Sequence, residues 1–194
     1  MNQRRKRNLT RVEVIDAALE LVDAEGLDAL TMRRLGSTLG VEAMALYRHV
    51  PNKDALLDLT VERMRSEMRL EEPLPHDPAQ LLEAIFVEYR RVLTAHPNML
   101  PLATRRTDTG SMSGLEYLIE QGVPSADAVA LYQSLTAFTI GYSLLASTQA
   151  DDEWSNIPDD LAVQLRDWGD DTFRRTLRAI MAGFGLTAKE ALLP

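Results

Sequence analysis

The hydrophobic positions of the chain follow helical spacing throughout, and no stretch shows the strict alternation typical of a strand. Ile15, Leu19 and Val22 fall at i, i+4 and i+7, which places them on one face of a first helix. Thr10 and Glu13 have the spacing of a capping box at the start of that helix. The pattern predicts an all-α fold.

Three shorter helices are predicted next. Thr31 starts a second helix, which ends near Gly40, and a third follows it but stops before Pro51 because proline disfavours helix at itself and at the preceding residue. Asn52 caps a fourth helix that extends to about Leu70. Two short helices joined by a tight turn, after a longer helix, are typical of a helix-turn-helix.

The remainder of the chain also has a helical pattern. Asp77 as cap and Pro78 at the first helical position begin a fifth helix, which ends at His96. Further helices are predicted over residues 99–105, 115–121, 125–148 and 173–184. The helix over 125–148 is apolar on more than one side and must therefore be covered on most of its girth. Residues 151–158 are interpreted as an acidic loop.

Composition excludes several classes of protein. The chain has 194 residues, of which 45% are hydrophobic, and this is typical of a globular protein. It has no cysteine, which excludes disulfide frameworks, thiolate nucleophiles and zinc–cysteine sites. Polar residues interrupt the long apolar run over 128–150, so a membrane span is not expected. The chain does not open with a charged segment followed by an apolar one, so secretion is not expected either. We expect a cytoplasmic protein.

The charge is divided unevenly along the chain. The net charge is −8, yet residues 1–65 carry 11 Lys and Arg against 10 Asp and Glu. Residues 66–194 carry 10 against 19. A basic arm over residues 1–9 contains Arg4, Arg5, Lys6 and Arg7, which precede any acidic residue. Such asymmetry indicates two different tasks in one chain.

One segment resembles a known family closely. The sequence from Leu39 to Leu57, with its Leu-Tyr-Arg-His-Val-Pro-Asn-Lys run from Leu46 to Lys53, is similar to the helix-turn-helix of the tetracycline-repressor (TetR) family. The resemblance extends back through Gly26 and covers about residues 10–65. The remainder resembles, more loosely, the C-terminal domain of the tetracycline-repressor subgroup.

The resemblance implies an N-terminal three-helix helix-turn-helix domain over residues 1–52. A connecting helix over 53–70 would join it to a helical ligand-binding and dimerisation domain over 71–194. It also implies a transcriptional regulator, a repressor, that binds a palindromic operator on double-stranded DNA as a homodimer and is released by a small-molecule inducer. In this mechanism the ligand moves the short helix over 99–105, which pushes the fourth helix and changes the spacing of the two recognition helices.

The recognition helix would present its first residues to base edges in the major groove. Ala43, Met44 and Ala45 are apolar, so they can pack on thymine methyl groups but cannot make bidentate hydrogen bonds. Arg33 is the best candidate for a guanine contact. The resemblance places Tyr47, His49 and Lys53 at phosphates, and we expect the same of Arg48 and a DNA contact at Thr31. Leu46 and Val50 are interpreted as core.

The second half supplies candidates for two further sites. Ligand contacts are predicted at residues that mix apolar bulk with a few polar groups: Tyr89, Leu93, His96, Met99, Leu102, Arg105, Gln133, Phe138 and Tyr142. The dimer interface is predicted where the long helix and the last helix of each subunit would form a four-helix bundle: Leu131, Leu135, Leu145, Phe173, Leu177, Ile180 and Phe184. Tyr89, Leu93 and Phe138 can also be core residues.

An enzyme and a protein-interaction module are the two alternatives to a transcriptional regulator. An enzyme is not expected, because the three histidines lie on different elements and no HExxH, GxSxG or phosphate-binding loop is present. No metal site and no cofactor are expected, since the acids at 151–153 form a run rather than a convergent set. The alternative is an acidic helical protein-interaction module with a non-functional helix-turn-helix, which would bind no duplex.

Overall fold

The computed structural model describes residues 9–105, 112–148, 158, 161, 164 and 167–188, and within these ranges every regular element is a helix. The basic residues Arg4 to Arg7 and the acidic run over 151–153 lie outside the described residues. The predicted all-α fold is confirmed.

Four α-helices form the N-terminal part: α1 (Arg11–Glu25), α2 (Met32–Leu39), α3 (Ala43–Leu46) and α4 (Lys53–Arg65), with a 3₁₀ turn over Leu27–Ala29. The predicted capping box of α1 is confirmed. The Glu13 amide donates to Thr10 Oγ1 at 3.1 Å, and the Thr10 amide donates to Glu13 Oε2 at 2.8 Å. Satisfying two otherwise unpaired backbone donors fixes where this helix begins.

Two of these helices are shorter than the sequence predicts. After α3 the Arg48 and His49 amides donate to the carbonyls of Ala45 and Leu46, three residues back, so the chain continues as tight turns rather than α-helix. The fourth helix ends at Arg65 instead of Leu70. Four residues further on, the Arg69 amide donates to the Glu88 side chain at 2.6 Å, and this bond between residues 19 positions apart has no sequence signature.

Among the described residues that follow are α5 (Pro78–Ala95), α6 (Leu100–Arg105), α7 (Met112–Glu120), α8 (Ser125–Thr148) and α9 (Asp170–Gly183), with a 3₁₀ turn over Pro97–Met99. The start predicted for α5 is confirmed, since Asp77 Oδ1 accepts the amides of Ala79 and Gln80 at 3.0 Å. His96 lies at its C-terminus, as predicted.

The core of the second half is built around α8, which packs against α5, α7 and α9. The helix is long and apolar enough to span a membrane by length and composition, with a mean hydropathy of 1.3 in its most apolar window. Leu131, Leu135 and Ile140 are buried inside the chain, however, so one side of this helix belongs to the core.

Four of the seven predicted dimer residues require correction. Leu131, Leu135, Phe173 and Leu177 are at most 1% exposed because they pack the core of their own chain. Ile180 and Phe184 are half-buried against the same core. Among the seven predicted residues only Leu145 is exposed. The apolar stripe of α8 that the sequence shows most clearly therefore faces inward.

Candidate DNA-binding surface and ligand cleft

The turn between α2 and α3 is fixed by two glycines. Gly40 has a φ of 69°, a left-handed conformation that ends α2, and the Val41 amide donates to the Gly36 carbonyl at 2.9 Å. A Cβ on Gly36 would lie 2.9 Å from the Val41 carbonyl oxygen and 3.2 Å from the Ala43 nitrogen. The close approach of α3 to α2 therefore requires a residue without a side chain at position 36.

The predicted reading residues lie on the outer side of α3. Met44 is 74% exposed and Tyr47 is 43% exposed, while Ala43 and Ala45 are half-buried beside them. Leu46 and Val50 are at most 1% exposed, which confirms their interpretation as core residues. Burial of these two anchors α3 and directs Met44 and Tyr47 outward.

The predicted basic contacts lie on neighbouring elements of the same part of the chain. Three of them are exposed: Arg33 on α2, Arg48 after α3 and Lys53 at the first position of α4. His49 is half-buried. Thr31 is exposed and caps α2, where its Oγ1 accepts the Arg34 amide at 3.1 Å. The exposed side chains of Arg48 and Lys53 are suited to contacts with phosphate oxygens.

A cleft opens between α4, α5 and α8. It encloses about 510 Å³ of space, counted out to its open mouth. Seven residues line it: Arg65, Met68, Ile85, Phe86, Tyr89, Tyr132 and Thr136. The mainly apolar lining with a few polar groups is typical of a small-molecule site.

The polar groups of the cleft lie at an aromatic wall. The Phe86 and Tyr132 rings pack edge to face with centroids 5.5 Å apart. The Arg65 guanidinium carbon is 5.9 Å from the centre of the Tyr89 ring. Burial raises the pKa of Tyr132, although the positive charge of Arg65 acts in the opposite direction. Tyr132 therefore remains a neutral hydroxyl over the physiological pH range.

His96 joins the end of α5 to the N-terminal part of the chain. Its Nδ1 is 2.8 Å from Asp23 Oδ2 of α1, and its Nε2 is 3.0 Å from Glu67 Oε2 just after α4. Burial lowers the pKa of His96, but the hydrogen bonds to both carboxylates and their charges outweigh this, so the pKa is raised. Nearby, Asn98 Nδ2 donates to the carbonyls of Val22 and Asp23 at 3.1 and 3.0 Å. The segment that precedes α6 is therefore bonded to both α1 and the end of α4.

Comparison with known proteins identifies this arrangement. Residues 14–59, which span most of α1 through α4, match the family described as bacterial regulatory proteins, tetR family. The chain is 32% identical over 197 residues to the tetracycline repressor protein class D of Escherichia coli, with 91% of this chain and 89% of that protein covered. The chain belongs to the TetR family.

Two other TetR-family comparisons extend beyond the helix-turn-helix. An HTH-type transcriptional regulator from Saccharopolyspora erythraea is 33% identical over 159 residues, and the match covers 78% of this chain but 64% of that regulator's length. The crystal structure of Streptomyces coelicolor ActR in complex with actinorhodin superposes with a TM-score of 0.75 at 28% identity, covering 95% of this chain and 99% of that one. The likeness therefore includes the helical C-terminal part.

Of the predicted ligand residues whose side chains the structure describes, Tyr89 alone lines the cleft. Leu93, Met99 and Leu102 are fully buried in the core, and both ring nitrogens of His96 are engaged by carboxylates, so these four are corrected to structural roles. Their apolar character and helical spacing are shared by core and pocket residues, which is why the sequence does not separate the two.

Four predicted ligand residues remain: three of them lie away from the cleft, and the side chain of the fourth is not among the described residues. Gln133 is exposed on the outer side of α8. Phe138 and Tyr142 pack on Phe173, with ring centroids 5.2 Å apart in both pairs, and the Tyr142 hydroxyl donates to the Gly169 carbonyl at 3.1 Å. The side chain of Arg105 lies outside the described residues.

The sequence interpretation missed most of the cleft. Ile85 and Phe86 belong to the apolar face of α5 and have the signature of core residues. Arg65 and Met68 were assigned to the connecting helix, and Tyr132 and Thr136 lie among the many apolar positions of α8. A Tyr-x-x-x-Thr pair next to the buried stripe of α8 is a weak signal that could have marked this wall.

Proposed function

We propose that the chain is a ligand-responsive transcriptional repressor that binds a palindromic operator as a homodimer and releases it when a small-molecule inducer binds. The observation that carries the proposal is the helix-turn-helix surface, on which Met44 is 74% exposed between basic residues of α2 and α4. An exposed methionine can pack on base edges inside the major groove, and the cations on either side of it can reach the phosphates that border the groove.

In the proposed complex α3 reads bases through apolar contact. Met44, with Ala43 and Ala45 beside it, packs on thymine methyl groups, and Arg33 makes the guanine contact. Phosphate contacts come from Tyr47, Arg48, His49, Lys53 and Thr31. The open N-terminus of α4, where Asn52 Oδ1 accepts the Ala55 amide at 2.8 Å, favours an anion beside Lys53.

The proposed induction uses the junction at His96. A ligand in the cleft between α4, α5 and α8 shifts α5 and α6, and His96 and Asn98 transmit the movement to α1 and to the end of α4. The relatives named as tetracycline repressors and the ActR complex with actinorhodin support a ligand-binding role. Coupling of this kind is reciprocal and typically amounts to about 1–3 kcal/mol.

The proposed domains are a DNA-binding domain over residues 1–52, a connecting helix over 53–70 and a ligand-binding and dimerisation domain over 71–194. A twofold dimer of such chains would place two recognition helices roughly 34–36 Å apart, one turn of DNA, which requires a palindromic site. The family membership and the core position of α8 support a soluble, cytoplasmic, non-catalytic protein.

The test begins with selection of bound sites from random duplex DNA, followed by anisotropy titrations at several salt concentrations. We expect a palindromic, thymine-containing site and a log–log salt slope of about −5, from about three phosphates per subunit at roughly 0.9 each. Failure to enrich any site, or binding without palindromic symmetry, would contradict the proposal.

Two variants then separate reading from positioning. Arg33→Ala removes a base contact and should relax the sequence preference at one position of each half-site. Lys53→Ala removes a phosphate contact, so it should weaken binding to all sequences alike and make the salt slope of the dimer shallower by about 2. Identical behaviour of the two variants would show that this division of roles is wrong.

A further inference from the structure

The junction at His96 is held by a side chain that can lose its charge near neutral pH. We propose that His96, Asp23 and Glu67 form a proton-sensitive bridge. The imidazolium of His96 holds the N-terminal part of the chain against α5 and strengthens operator binding, whereas loss of the proton opens the bridge and weakens operator binding. This inference rests on the operator binding proposed above and adds the proton as a second effector.

Both ring nitrogens of His96 face carboxylates. Nδ1 lies 2.8 Å from Asp23 Oδ2, and Nε2 lies 3.0 Å from Glu67 Oε2. An ionised carboxylate only accepts hydrogen bonds, and a neutral imidazole donates from one nitrogen only. Only the imidazolium can therefore satisfy both contacts, because deprotonation leaves a nitrogen lone pair facing a carboxylate.

The charges around the bridge favour the imidazolium. Four acids and three arginines lie there, on α1, α4 and α5 and in the turn after α4: Asp16, Asp23, Glu67, Glu88, Arg63, Arg69 and Arg91. Arg63 is shared between Asp16 and Glu67, at 2.6 and 2.8 Å. Within the described residues the ring has no further charged partner. Since the acids outnumber the arginines by one, the positive charge of His96 balances the set.

The bridge changes its state in the neutral range of pH. Burial lowers the pKa of His96, but the hydrogen bonds to Glu67 and Asp23 and the charges of both acids raise it by more. The imidazolium therefore persists above the ordinary pKa of 6.5 and is lost as pH rises through the higher folded value. The other oxygen of Asp23, Oδ1, is buried without a hydrogen-bond partner in the described part of the chain, so this carboxylate depends on the ring.

The bridge joins elements that must keep their relative positions on DNA. Asp23 lies in the last turn of α1, Glu67 follows the end of α4 by two residues, and His96 lies at the end of α5. Operator binding requires the two recognition helices of a dimer at a fixed spacing. A closed bridge fixes α1 and the end of α4 against α5 before DNA is bound, so less conformational freedom is lost on binding. His96 is thus a positioning residue.

The experiment measures operator affinity by anisotropy from pH 6 to pH 9 at constant ionic strength, with the full chain and a site selected from random duplex DNA. The ratio of the dissociation constants of His96→Gln and the wild type isolates His96, because both proteins retain His49 at the DNA-binding surface. We expect a ratio of about five or more at pH 6 that falls towards one at pH 9. A ratio that stays constant or rises with pH would overturn the proposal.

Asp23→Asn tests the hydrogen bonding of the bridge with little change of shape. Its amide can donate to Nδ1 of a neutral ring whose Nε2–H donates to Glu67, so the bridge no longer requires the proton. We expect this variant to bind the operator several-fold more tightly than the wild type at pH 9. Weaker binding than the wild type at that pH would contradict the bridge. His76→Gln, at an exposed position, is the control and should follow the wild type at every pH.

A second measurement uses the wild type alone. Coupling between two ligands is reciprocal, so operator binding should raise the pKa of His96 by the factor by which protonation tightens the operator. Nuclear magnetic resonance of labelled histidine follows the ring through a pH titration with and without DNA. An unchanged or lowered pKa in the complex would overturn the inference and leave operator binding intact. Failure to bind an operator at any pH would instead overturn the proposed function, and this inference with it.

Discussion

Gly36 and the turn that follows it hold α3 in its place against α2. The Val41 carbonyl and the Ala43 backbone nitrogen, rather than a movable side chain, occupy the space that a Cβ at position 36 would enter. Backbone atoms cannot withdraw without shifting the whole of α3. The position of the reading residues relative to Arg33 therefore depends on the lack of a side chain at position 36.

We predict that Gly36→Ala destabilises the fold by about 1–3 kcal/mol, because overpacking against backbone is relieved only by displacing α3. Thermal unfolding measures this change, and anisotropy should show a loss of operator binding larger than the unfolded fraction explains. Gly183→Ala is the matched control, since a Cβ there meets open space. Equal melting temperatures for the two variants would contradict the close packing of α2 on α3.

His96 is the residue whose charge connects the two halves of the chain. Its ring faces Asp23 and Glu67, and Glu67 also accepts from Arg63 Nη1 at 2.8 Å, while Arg91 donates to the Glu67 carbonyl. The pKa of Glu67 is lowered, chiefly by the hydrogen bond to His96. The pKa of His96 itself is raised, so its protonated form is favoured in the folded state.

We predict that this contact stabilises the protein most at mildly acidic pH. A raised histidine pKa contributes stability that is fully present below the unfolded value of about 6.5 and is lost as pH rises through the folded value. The difference in unfolding free energy between the wild type and His96→Gln should therefore shrink from pH 5.5 to pH 8.5. His76→Gln, at an exposed position, serves as the control. A difference that grows with pH would contradict the geometry.

At the scale of elements, the sequence predicts where helices start but not which distant segments they bond to. Thr10, Glu13 and Asp77 make their capping bonds within three residues along the chain, so local sequence specifies them. The Arg69 amide, four residues beyond the end of α4, bonds instead to Glu88, 19 residues away. Local spacing carries no information on such a bond.

The same limit explains the correction to the interface and the cleft. The sequence shows that α8 is apolar on more than one side, but it does not show which side faces α5. The structure buries Leu131 and Leu135 and leaves Val129, Leu144 and Leu145 exposed by 40%, 43% and 52%. Which stripe becomes core is decided by the tertiary packing of α5, α7 and α9, and the pocket residues follow from that choice.

One buried acid, Glu83, contributes to the contact between α5 and α9. Glu83 is 9% exposed and accepts from Arg178 Nε and Nη2, both at 2.7 Å, and from Arg174 Nη1 at 3.1 Å. The hydrogen bond to Arg178 is the main reason that the pKa of Glu83 is lowered. Both arginines are partly exposed, so they can regain water if the acid is removed.

We predict that Glu83→Gln lowers the unfolding free energy by about 1–2 kcal/mol at pH 7, less than for a fully buried pair because the arginines rehydrate. A lowered acid pKa gives stability that is present above the ordinary value of 4.5 and is lost as pH falls through the folded value. Denaturant unfolding should therefore show a smaller difference at pH 4 than at pH 7. Glu116→Gln, exposed on α7, should have no effect, and a constant difference would contradict the ion pair.

At the scale of the whole molecule, the division of charge matches the proposed division of tasks. Residues 1–65 are near neutral, with cations placed around α3, whereas residues 66–194 carry most of the acid behind the net charge of −8. The acidic part repels the duplex, so affinity depends on a small basic surface. In the proposed complex a second copy on the same operator would add an equal basic surface and so strengthen binding.

The outer face of α8 is the surface on which we place the contact between the two copies. Five exposed residues lie on that face. They are Val129, Gln133, Ala137 and Leu144, which have helical spacing, and Leu145 beside Leu144. Mostly apolar and small side chains of this kind permit close packing against a second helix. Ala179 and Ala182 are exposed at similar spacing on α9. Two helices from each copy would complete a four-helix bundle.

We predict that Leu145→Glu produces a folded monomer, because two buried carboxylates would face each other across the twofold axis. Light scattering after gel filtration measures the mass, and circular dichroism should remain that of the wild type. Affinity for the palindromic operator should fall by about two orders of magnitude or more, since the second half-site no longer benefits from tethering. Leu74→Glu places the same charge on an exposed leucine between α4 and α5 and should remain dimeric. A dimer that persists in Leu145→Glu would show that the copies meet elsewhere, and the half-site spacing of the operator would then have to follow from that other contact.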